Sequence, residues 1–435
     1  MLLYSKVRPL FAIAAMARVG GGVQNLQALT STPHDLKLLS NDAFAVLIHP
    51  ALPRHSVRIK KSDFCDSTVT AYTGYIDIEA RHLFFYFFES RSEPDEDDVI
   101  FWTNGGPGGS SSSGLLMELG PCNIVNSSST EHNPYGWNDK ANIFFIDQPI
   151  GVGFSYADYG EMVSTTEEAA VDIAAFVAIF FEHFRKFTGK SFHMAGESFG
   201  GRYLPLFAAA ILDQNSRLIE YGIPPVNLTS VMIGNGLTNY LGMLQSYYDM
   251  KCTPASLPPV ESISACVRMK QALPRCYKTM KEACFDVLDS IGCEASLAFC
   301  ESELGYVPAG LNPYDLSKKC EGTLMDTLCY PITRDIVAYL NTPDIRALLG
   351  TDPTPENYSS VNFELNGRFM SHLDHIGVRC PPLREWNVDG AVAGLTRSAG
   401  PLTFATIYGA GHMVPHDMPK ESLELVNRWI AQEPL

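Results

Sequence analysis

The sequence predicts an α/β fold with a mainly parallel central sheet. Short β-rich runs alternate with helix-periodic segments along most of the chain, which is the pattern of this class. A Gly-x-Ser-x-Gly pattern, Gly196–Gly200, joins one β-rich run to a helical segment, and His412 follows the last β-rich run. At 435 residues and 46% hydrophobic content, the chain is long enough to bury a sizeable core.

The β-rich runs are short and bounded by turn residues. The first two alternate in polarity and are rich in aromatic residues, so they predict a hairpin. The predicted strands read TAYTGYIDI, HLFFYFFES, DVIFWTN, ANIFFID, SFHMAG, NLTSVMIGNG and LTFATIYGAGH.

Helical periodicity separates these runs. Between Thr165 and Phe187 apolar residues recur at helical spacing, and Ser164 with Glu167 forms a predicted capping box. Further helices are predicted after Ser198 and in the segments DIVAYL, DIRALLG and ESLELVNRWIAQ.

The charge pattern argues against some function classes. The net charge is −16 and the pI is about 5.1, without a run of five like charges. We therefore expect no nucleic-acid partner and no binding to anionic membranes.

The N-terminal residues resemble a targeting segment. Residues 1–20 contain Lys6 and Arg8 before a short apolar run, which predicts a signal peptide, although a disordered tail fits as well. Residues 21–64 are expected to be a pro-like segment and residues 65–435 the main domain. No stretch of about 18 apolar residues predicts a membrane span. Sequons at Asn126, Asn227 and Asn357 agree with a secretory route.

Cysteines are concentrated in one segment. Their density predicts a disulfide-bonded insertion, residues 240–330, in an oxidising compartment. A zinc cluster is the alternative, but the segment has no Cys-x-x-Cys pair and no histidine. We expect no metal and no cofactor. The segment holds eight of the eleven cysteines: Cys252, Cys266, Cys276, Cys284, Cys293, Cys300, Cys320 and Cys329. The residue pattern alone does not fix how these eight pair, nor how Cys65, Cys122 and Cys380 pair.

Ser198 has the setting of an activated nucleophile. A serine on a sharp turn between strand and helix is expected to need glycines on both sides. The glycine-rich stretch Asn104–Gly114 follows a predicted strand, where its backbone N–H groups can face a developing oxyanion. His412 lies in a loop after the final predicted strand, the place of a general base.

Together these motifs resemble the serine carboxypeptidase family, which has an α/β-hydrolase fold. NGGPG, FIDQPIGVGFSY, GESFGGRYLP, the Cys-rich insertion and GHMVP occur in the family's order. The resemblance implies release of C-terminal residues from peptides at acid pH, with Ser198 as nucleophile and His412 as base. It places the oxyanion hole at the N–H groups of Gly106 and Phe199.

The resemblance also implies a site for the substrate's free carboxylate. Its matching residues are Asn104, Gly105, Glu118 and Glu197. Two buried glutamates close together hold one proton between them and can donate a hydrogen bond to a carboxylate. A preference for acid pH would follow, because loss of that proton as the pH rises would weaken binding of the substrate's carboxylate.

The sequence departs from the family pattern in three places. Phe199 stands where Tyr is usual, and Gly109 and Val361 stand where the family has a pair of bridging cysteines. The family's triad aspartate segment is not found between Asn362 and His412, as if a strand had been removed near Cys380. Asp374 and Asp389 are the remaining aspartates there, and neither follows an apolar strand. Within the insertion the family pattern pairs Cys252 with Cys266, Cys276 with Cys300, Cys284 with Cys293, and Cys320 with Cys329.

The sequence therefore predicts a serine carboxypeptidase acting on peptides or proteins with a free C-terminus, in the secretory pathway, either secreted or in a vacuole-like or lysosome-like compartment. The alternatives are a catalytically impaired relative that lacks the acid, or an acyltransferase or esterase on the same scaffold. A misassembled or alternatively spliced gene would also explain the missing segment.

Overall fold

A computed structural model describes residues 35–255, 257–287, 289–362 and 383–435. The predicted signal peptide, Asp374 and Cys380 lie outside the described residues. Among those described, no helix is both long and apolar enough to cross a membrane. The three sequon asparagines are exposed, so each is accessible to a glycosylating enzyme. Glycosylation at these positions stays a prediction.

The strands fall into one large sheet and three small ones. The central sheet has the order β1-β2-β3-β4-β8-β5-β10-β11, with β9 on β4. The strands are β1 (Ala45–Ile48), β2 (His55–Ser62), β3 (Ala71–Ile78), β4 (Arg81–Phe88), β5 (Val99–Thr103), β6 (Cys122–Asn126), β7 (Ser129–His132), β8 (Asn142–Ile146), β9 (Tyr156–Ala157), β10 (Phe192–Glu197), β11 (Leu228–Gly234), β12 (Leu311–Asn312), β13 (Asp315–Lys319), β14 (Arg384–Val388), β15 (Ala391–Ala399) and β16 (Leu402–Ala405).

The central sheet is mixed rather than mainly parallel. Strands β1 to β4 form an antiparallel meander, and β4 pairs antiparallel with β8. Strands β8, β5, β10 and β11 are parallel neighbours. The meander is antiparallel because its strands are joined by short turns, whereas parallel neighbours need a crossover. The α/β class is confirmed, and the parallel half carries the residues around Ser198.

The helices cover both faces of this sheet. They are α1 (Thr166–His183), α2 (Gly200–Glu220), α3 (Tyr240–Cys252), α4 (Ile263–Met280), α5 (Ser290–Cys300), α6 (Leu324–Thr327), α7 (Ile332–Leu340), α8 (Pro343–Leu349), α9 (Val414–Asp417) and α10 (Pro419–Ile430). The predicted capping box of α1 is displaced by one residue: Thr165 Oγ1 accepts a hydrogen bond from Glu168 N, and Glu168 accepts one from Ser164 N.

Strand β4 shows why its sequence is almost wholly apolar. Phe85 and Phe87 pack with α1 on one face, while Phe84, Tyr86 and Phe88 belong to the core on the other face. Because side chains of a strand alternate between faces, a strand covered on both sides is apolar throughout.

The Cys-rich insertion is helical, as predicted, with one small hairpin made by β12 and β13. Three predicted disulfides are present: Cys252–Cys266, Cys284–Cys293 and Cys320–Cys329. The predicted Cys276–Cys300 bridge is not formed. Both cysteines are free, buried thiols in the insertion's own core. The bond Cys65–Cys122, left open by the sequence, joins the chain before β3 to the start of β6.

The C-terminal strands do not join the central sheet. The predicted strand LTFATIYGAGH is shortened to β16, which pairs with β15 in a separate sheet of β14, β15 and β16. Within the described residues β11 is the edge of the central sheet, and its Val231 and Ile233 side chains are more than one third exposed. The prediction of a missing strand beside the His-bearing segment fits this edge.

Candidate active site

Ser198 lies on a strained turn between β10 and α2. Its φ is +58°, in the left-handed region that residues other than glycine seldom adopt. Ser198 N donates to Gly234 O (3.0 Å), while Ser198 O accepts from Leu237 N (2.8 Å). The turn is thus bonded to the segment after β11, and this is the geometry of a nucleophile elbow.

The two glycines that flank Ser198 in the motif differ in their need for a missing side chain. A Cβ on Gly196 would lie 2.4 Å from Thr103 O, so β10 and β5 approach too closely for any side chain. A Cβ on Gly200 would meet its nearest atom at 3.6 Å, an ordinary contact. The expectation that both positions require glycine is therefore wrong for Gly200. At the next residue, Gly201, an added Cβ would lie 2.8 Å from Leu237 N and clash with it.

The glycine-rich loop lies directly against the elbow. A Cβ on Gly105 would be 2.5 Å from Phe199 N and 2.6 Å from Ser198 Cβ. Neither Gly106 N–H nor Phe199 N–H has a hydrogen-bond acceptor among the described residues. Two unsatisfied donors beside a strained serine are suited to a developing oxyanion.

A buried carboxyl pair adjoins this site. Asn104 Nδ2 donates to Glu118 Oε1 at 3.1 Å and to Glu197 Oε1 at 3.0 Å. The Asn104 side chain is oriented by its own acceptor, because Oδ1 accepts from Trp102 Nε1 (2.7 Å) and from Gly114 N. All three members of the cluster are 5% exposed or less. Structure thus brings together the predicted carboxylate-binding residues next to Ser198.

Both glutamates have raised pKa values. Burial raises the pKa of Glu118 to about 7. Burial and the neighbouring Glu118 carboxylate raise the pKa of Glu197 well above its usual value. Since two carboxylates in contact cannot both ionise cheaply, the pair carries one negative charge at most over the acid range.

His412 is held beside the elbow by its backbone. His412 N donates to Tyr314 O (2.7 Å), and Asn235 Nδ2 donates to His412 O (2.8 Å). Asn235 directly follows Gly234, which is bonded to Ser198 N, so the two loops meet at one residue. Burial lowers the pKa of the His412 imidazole to about 4. The ring is therefore neutral, and able to accept a proton, above about pH 4.

The serine, the histidine and an acid do not form a linked triad within the described residues. The Ser198 hydroxyl and the His412 ring make no hydrogen bond to each other, and no described carboxylate contacts the ring. Asp389 lies at the exposed turn between β14 and β15 and pairs with Lys420. Asp374 lies outside the described residues.

The family's missing disulfide is replaced by backbone pairing. Gly109 and Val361, which stand at the two cysteine positions, form an antiparallel β-bridge. Ser110 N donates to Ser360 O (2.9 Å) and Asn362 N donates to Gly108 O (2.8 Å). The glycine loop therefore keeps this anchor without the covalent bond.

Tyr314 and Asn235 belong to the site but escaped the sequence analysis. The Tyr314 ring centroid lies 5.4 Å from that of His412. Burial, and to a lesser extent the charge of Glu197, raises the pKa of Tyr314. Asn235 follows a parallel strand at its carboxyl end, where ligands of open α/β sheets bind, so its position was a usable signal. Tyr314 lies in the insertion, where no periodic pattern singles it out.

No group of three or more His, Cys, Asp or Glu side chains in the described part of the chain is arranged to hold a metal ion.

Comparisons with known proteins agree with this geometry. The serine carboxypeptidase family profile matches residues 63–379 and 378–432. The two matched segments meet next to Cys380, where the sequence analysis placed the missing block.

Two relatives and one solved structure extend the comparison. The chain is 36% identical to carboxypeptidase Y of Candida albicans over 87% of this chain and 77% of the relative. It is 35% identical to the vacuolar serine-type carboxypeptidase ATG42 of Saccharomyces cerevisiae over 94% and 90%. The fold resembles the crystal structure of KEX1(delta)p, a prohormone-processing carboxypeptidase of S. cerevisiae, with a TM-score of 0.65 and 20% identity, covering 89% and 93% of the two chains. From its sequence match and its fold, this chain belongs to the serine carboxypeptidase family.

Proposed function

We propose that this chain is a serine-type carboxypeptidase that removes C-terminal residues from peptides and proteins. One observation carries the proposal: the strained Ser198, two unpaired backbone N–H groups and a buried carboxyl pair bridged by Asn104 lie side by side. A nucleophile elbow alone serves many hydrolases. The adjoining carboxyl pair restricts the substrate to chains that end next to the scissile bond.

The proposed reaction proceeds through an acyl-enzyme. The Ser198 hydroxyl attacks the carbonyl carbon of the last peptide bond, and His412 accepts its proton. The Gly106 and Phe199 N–H groups stabilise the oxyanion. His412 then protonates the departing amino group, the C–N bond breaks, and water repeats the sequence to release the shortened peptide.

The substrate's terminal carboxylate is held by Asn104, the Gly105 backbone, Glu118 and Glu197. A carboxylate is bound here by a hydrogen bond from the shared proton, because a pair carrying two negative charges would repel it. Glu197 precedes Ser198 in the chain. The substrate's terminal carboxylate is thereby held so that the last peptide bond, one residue away in the substrate, lies at Ser198.

The site's titrations define a working range. His412 is able to accept a proton above about pH 4. The buried pair loses its first proton, and gains a negative charge, as the pH rises through about 7, the pKa of Glu118. Activity limited by both groups is expected between these values, in an acidic medium.

A catalytically impaired relative is the second candidate. It is favoured by one observation, that no described carboxylate contacts the His412 ring. Without such an acid, turnover in comparable triads falls by roughly 10⁴-fold. An acyltransferase or esterase is less favoured, since an ester substrate has no carboxylate for the buried pair to hold.

An oxidising compartment of the secretory pathway fits the disulfides and the exposed sequons. A relative is named vacuolar, and we propose the same acidic, lumenal type of compartment, or secretion, for this chain. Its expected partners are peptide or protein substrates with a free C-terminus.

The proposal is tested with a blocked dipeptide and its C-terminal amide. For the wild type we expect the KM for the free acid to rise as pH increases through about 7, because Glu118 ionises and its charge repels the substrate's carboxylate. The double variant Glu118→Gln with Glu197→Gln should flatten this rise and leave hydrolysis of the amide unchanged. The matched control is Glu89→Gln, a buried glutamate paired with Lys186 outside the site.

An unchanged KM profile in the double variant would remove the carboxylate-site assignment. Faster turnover of the amide than of the free acid by the wild type would argue against a carboxypeptidase. No turnover of either, with a folded protein, would favour the impaired relative.

A further inference from the structure

The hairpin of β12 and β13 lies against the His412 loop. His412 N donates to Tyr314 O at 2.7 Å. A Cβ on Gly411 would lie 2.7 Å from that same oxygen and 2.8 Å from Asp315 Cβ. The insertion therefore contacts the loop backbone to backbone, with no room for a side chain on Gly411.

An ion-pair cluster closes this contact. Lys318 Nζ lies 2.6 Å from Asp417 Oδ1 and 2.9 Å from Asp315 Oδ2. The side chains of Asp417 and Asp315 are 2% and 8% exposed, so one lysine is the shared counter-charge of two buried carboxylates. The hydrogen bonds that Lys318 donates to Asp417 and Asp315 raise the pKa of its ammonium group. Asp315, Lys318 and Asp417 are called the His-loop clasp below.

Asp417 connects the clasp directly to the loop. Its second oxygen, Oδ2, accepts a hydrogen bond from Gly411 N at 2.8 Å, one residue before His412. Asp417 also ends helix α9, which begins two residues after His412. Lys318 thus reaches both ends of the loop through a single carboxylate.

Strand β16, which precedes the loop, pairs with β15 and, among the described residues, not with the central sheet. Beyond that sheet's edge strand Asn235 Nδ2 donates to His412 O, and after the loop His416 Nδ1 bonds to Met117 O. A catalytic base displaced by about 1 Å can lose about 10²-fold in rate. The clasp therefore adds a restraint at Gly411, directly before His412.

We propose that Lys318, through Asp417 and Asp315, is a positioning residue that fixes the His412 loop beside Ser198 from the Cys-rich insertion. The inference rests on the proposed function for its effect on turnover, but not for its effect on the loop. Lys318 does not contact the reacting atoms. Its role is to keep the imidazole where the serine proton can reach it.

The test combines amide hydrogen exchange with kinetics. In Lys318→Met, exchange at the Gly411 and His412 amides should be about tenfold faster or more than in the wild type, because their acceptors are held by the clasp. For a blocked dipeptide kcat should fall about 10²-fold while KM changes less than about twofold. Lys318→Arg should restore both.

Two further variants keep the result interpretable. Lys420→Met removes a lysine of similar exposure, 49% against 51%, from an ion pair outside the clasp, and should change neither amide exchange nor kcat. Lys318→Met with Asp417→Asn removes the lysine together with the charge of Asp417, the more deeply buried of its two partners. It should fold even where Lys318→Met does not, and should still release the loop.

Unchanged exchange at Gly411 and His412 in both clasp variants would overturn the inference, whatever the activity. Faster exchange with unaltered kcat would overturn the positioning role. A wild type without turnover would refute the proposed function separately, and faster exchange in that protein would still support the clasp.

Discussion

The proposed nucleophile and the proposed base of this site are supported in different ways. Ser198 follows β10, whose six residues are all buried and which is hydrogen-bonded to β5 on one side and β11 on the other. His412 follows β16, a four-residue strand in a separate sheet, with Leu402 and Phe404 more than 40% exposed. Ser198 is therefore positioned by a buried strand inside the central sheet, and His412 by hydrogen bonds from neighbouring loops.

This difference shows where function is vulnerable. A strained serine persists because the surrounding sheet leaves its backbone no alternative. The histidine loop is restrained by Tyr314, Asn235 and the His-loop clasp, which belong to separate parts of the sequence. Substitutions far from His412 along the chain should therefore affect the base, whereas those that affect Ser198 should lie within the sheet.

The largest expected effect is at the nucleophile. Ser198→Ala should remove hydrolysis and covalent labelling by a fluorophosphonate, because both need that hydroxyl. Turnover of a blocked dipeptide and intact mass after labelling measure the two. Ser127→Ala, an exposed serine on another loop, is the control. Equal activity in Ser198→Ala would exclude it as nucleophile.

The next effect is at the base. In a comparable serine protease, losing the histidine costs about 2 × 10⁶-fold and losing the acid about 3 × 10⁴-fold, so a triad without its acid has about 10²-fold left to lose. We expect His412→Ala to lower kcat by about that factor. A loss near 10⁶-fold would show that an acid outside the described residues acts on His412.

A third prediction compares the two motif glycines by stability. Gly196→Ala should lower the free energy of unfolding by about 3 kcal/mol, since its Cβ would lie 2.4 Å from Thr103 O. Gly200→Ala should leave stability unchanged or raise it by up to about 1 kcal/mol, because alanine favours the start of α2. Urea unfolding decides. Equal losses would mean that the motif needs both glycines.

The smallest expected effect concerns the bridge beside the glycine loop. Gly109 and Val361 are a non-hydrogen-bonded antiparallel pair, whose Cα spacing of about 4.5 Å suits a disulfide. Gly109→Cys with Val361→Cys should oxidise and stabilise the protein by about 2 kcal/mol relative to its reduced form. Free thiols under oxidising conditions, read by mass spectrometry, would contradict the pairing.

Sequence reasoning succeeded where local pattern and fold share a cause. The Gly-x-Ser-x-Gly turn, the glycine loop and the β-rich runs all reflect short-range geometry. It misjudged Gly200 because a motif does not show which glycine another strand approaches. It misplaced LTFATIYGAGH, because a β-rich run does not state which sheet it joins. Cys276 and Cys300 were assigned to a disulfide from the family resemblance, and in the structure both are free thiols.

By itself the sequence determined the α/β class, the elbow serine and the loop that faces it, since each is encoded by a short motif or by strand and helix periodicity. The acidic pair was expected only from the family resemblance. Only the tertiary structure decided that Asn104 bridges Glu118 and Glu197, that Gly109 still pairs with Val361, and that the insertion holds the His412 loop. These contacts join residues far apart in the chain. They depend on packing and burial, which no local pattern records.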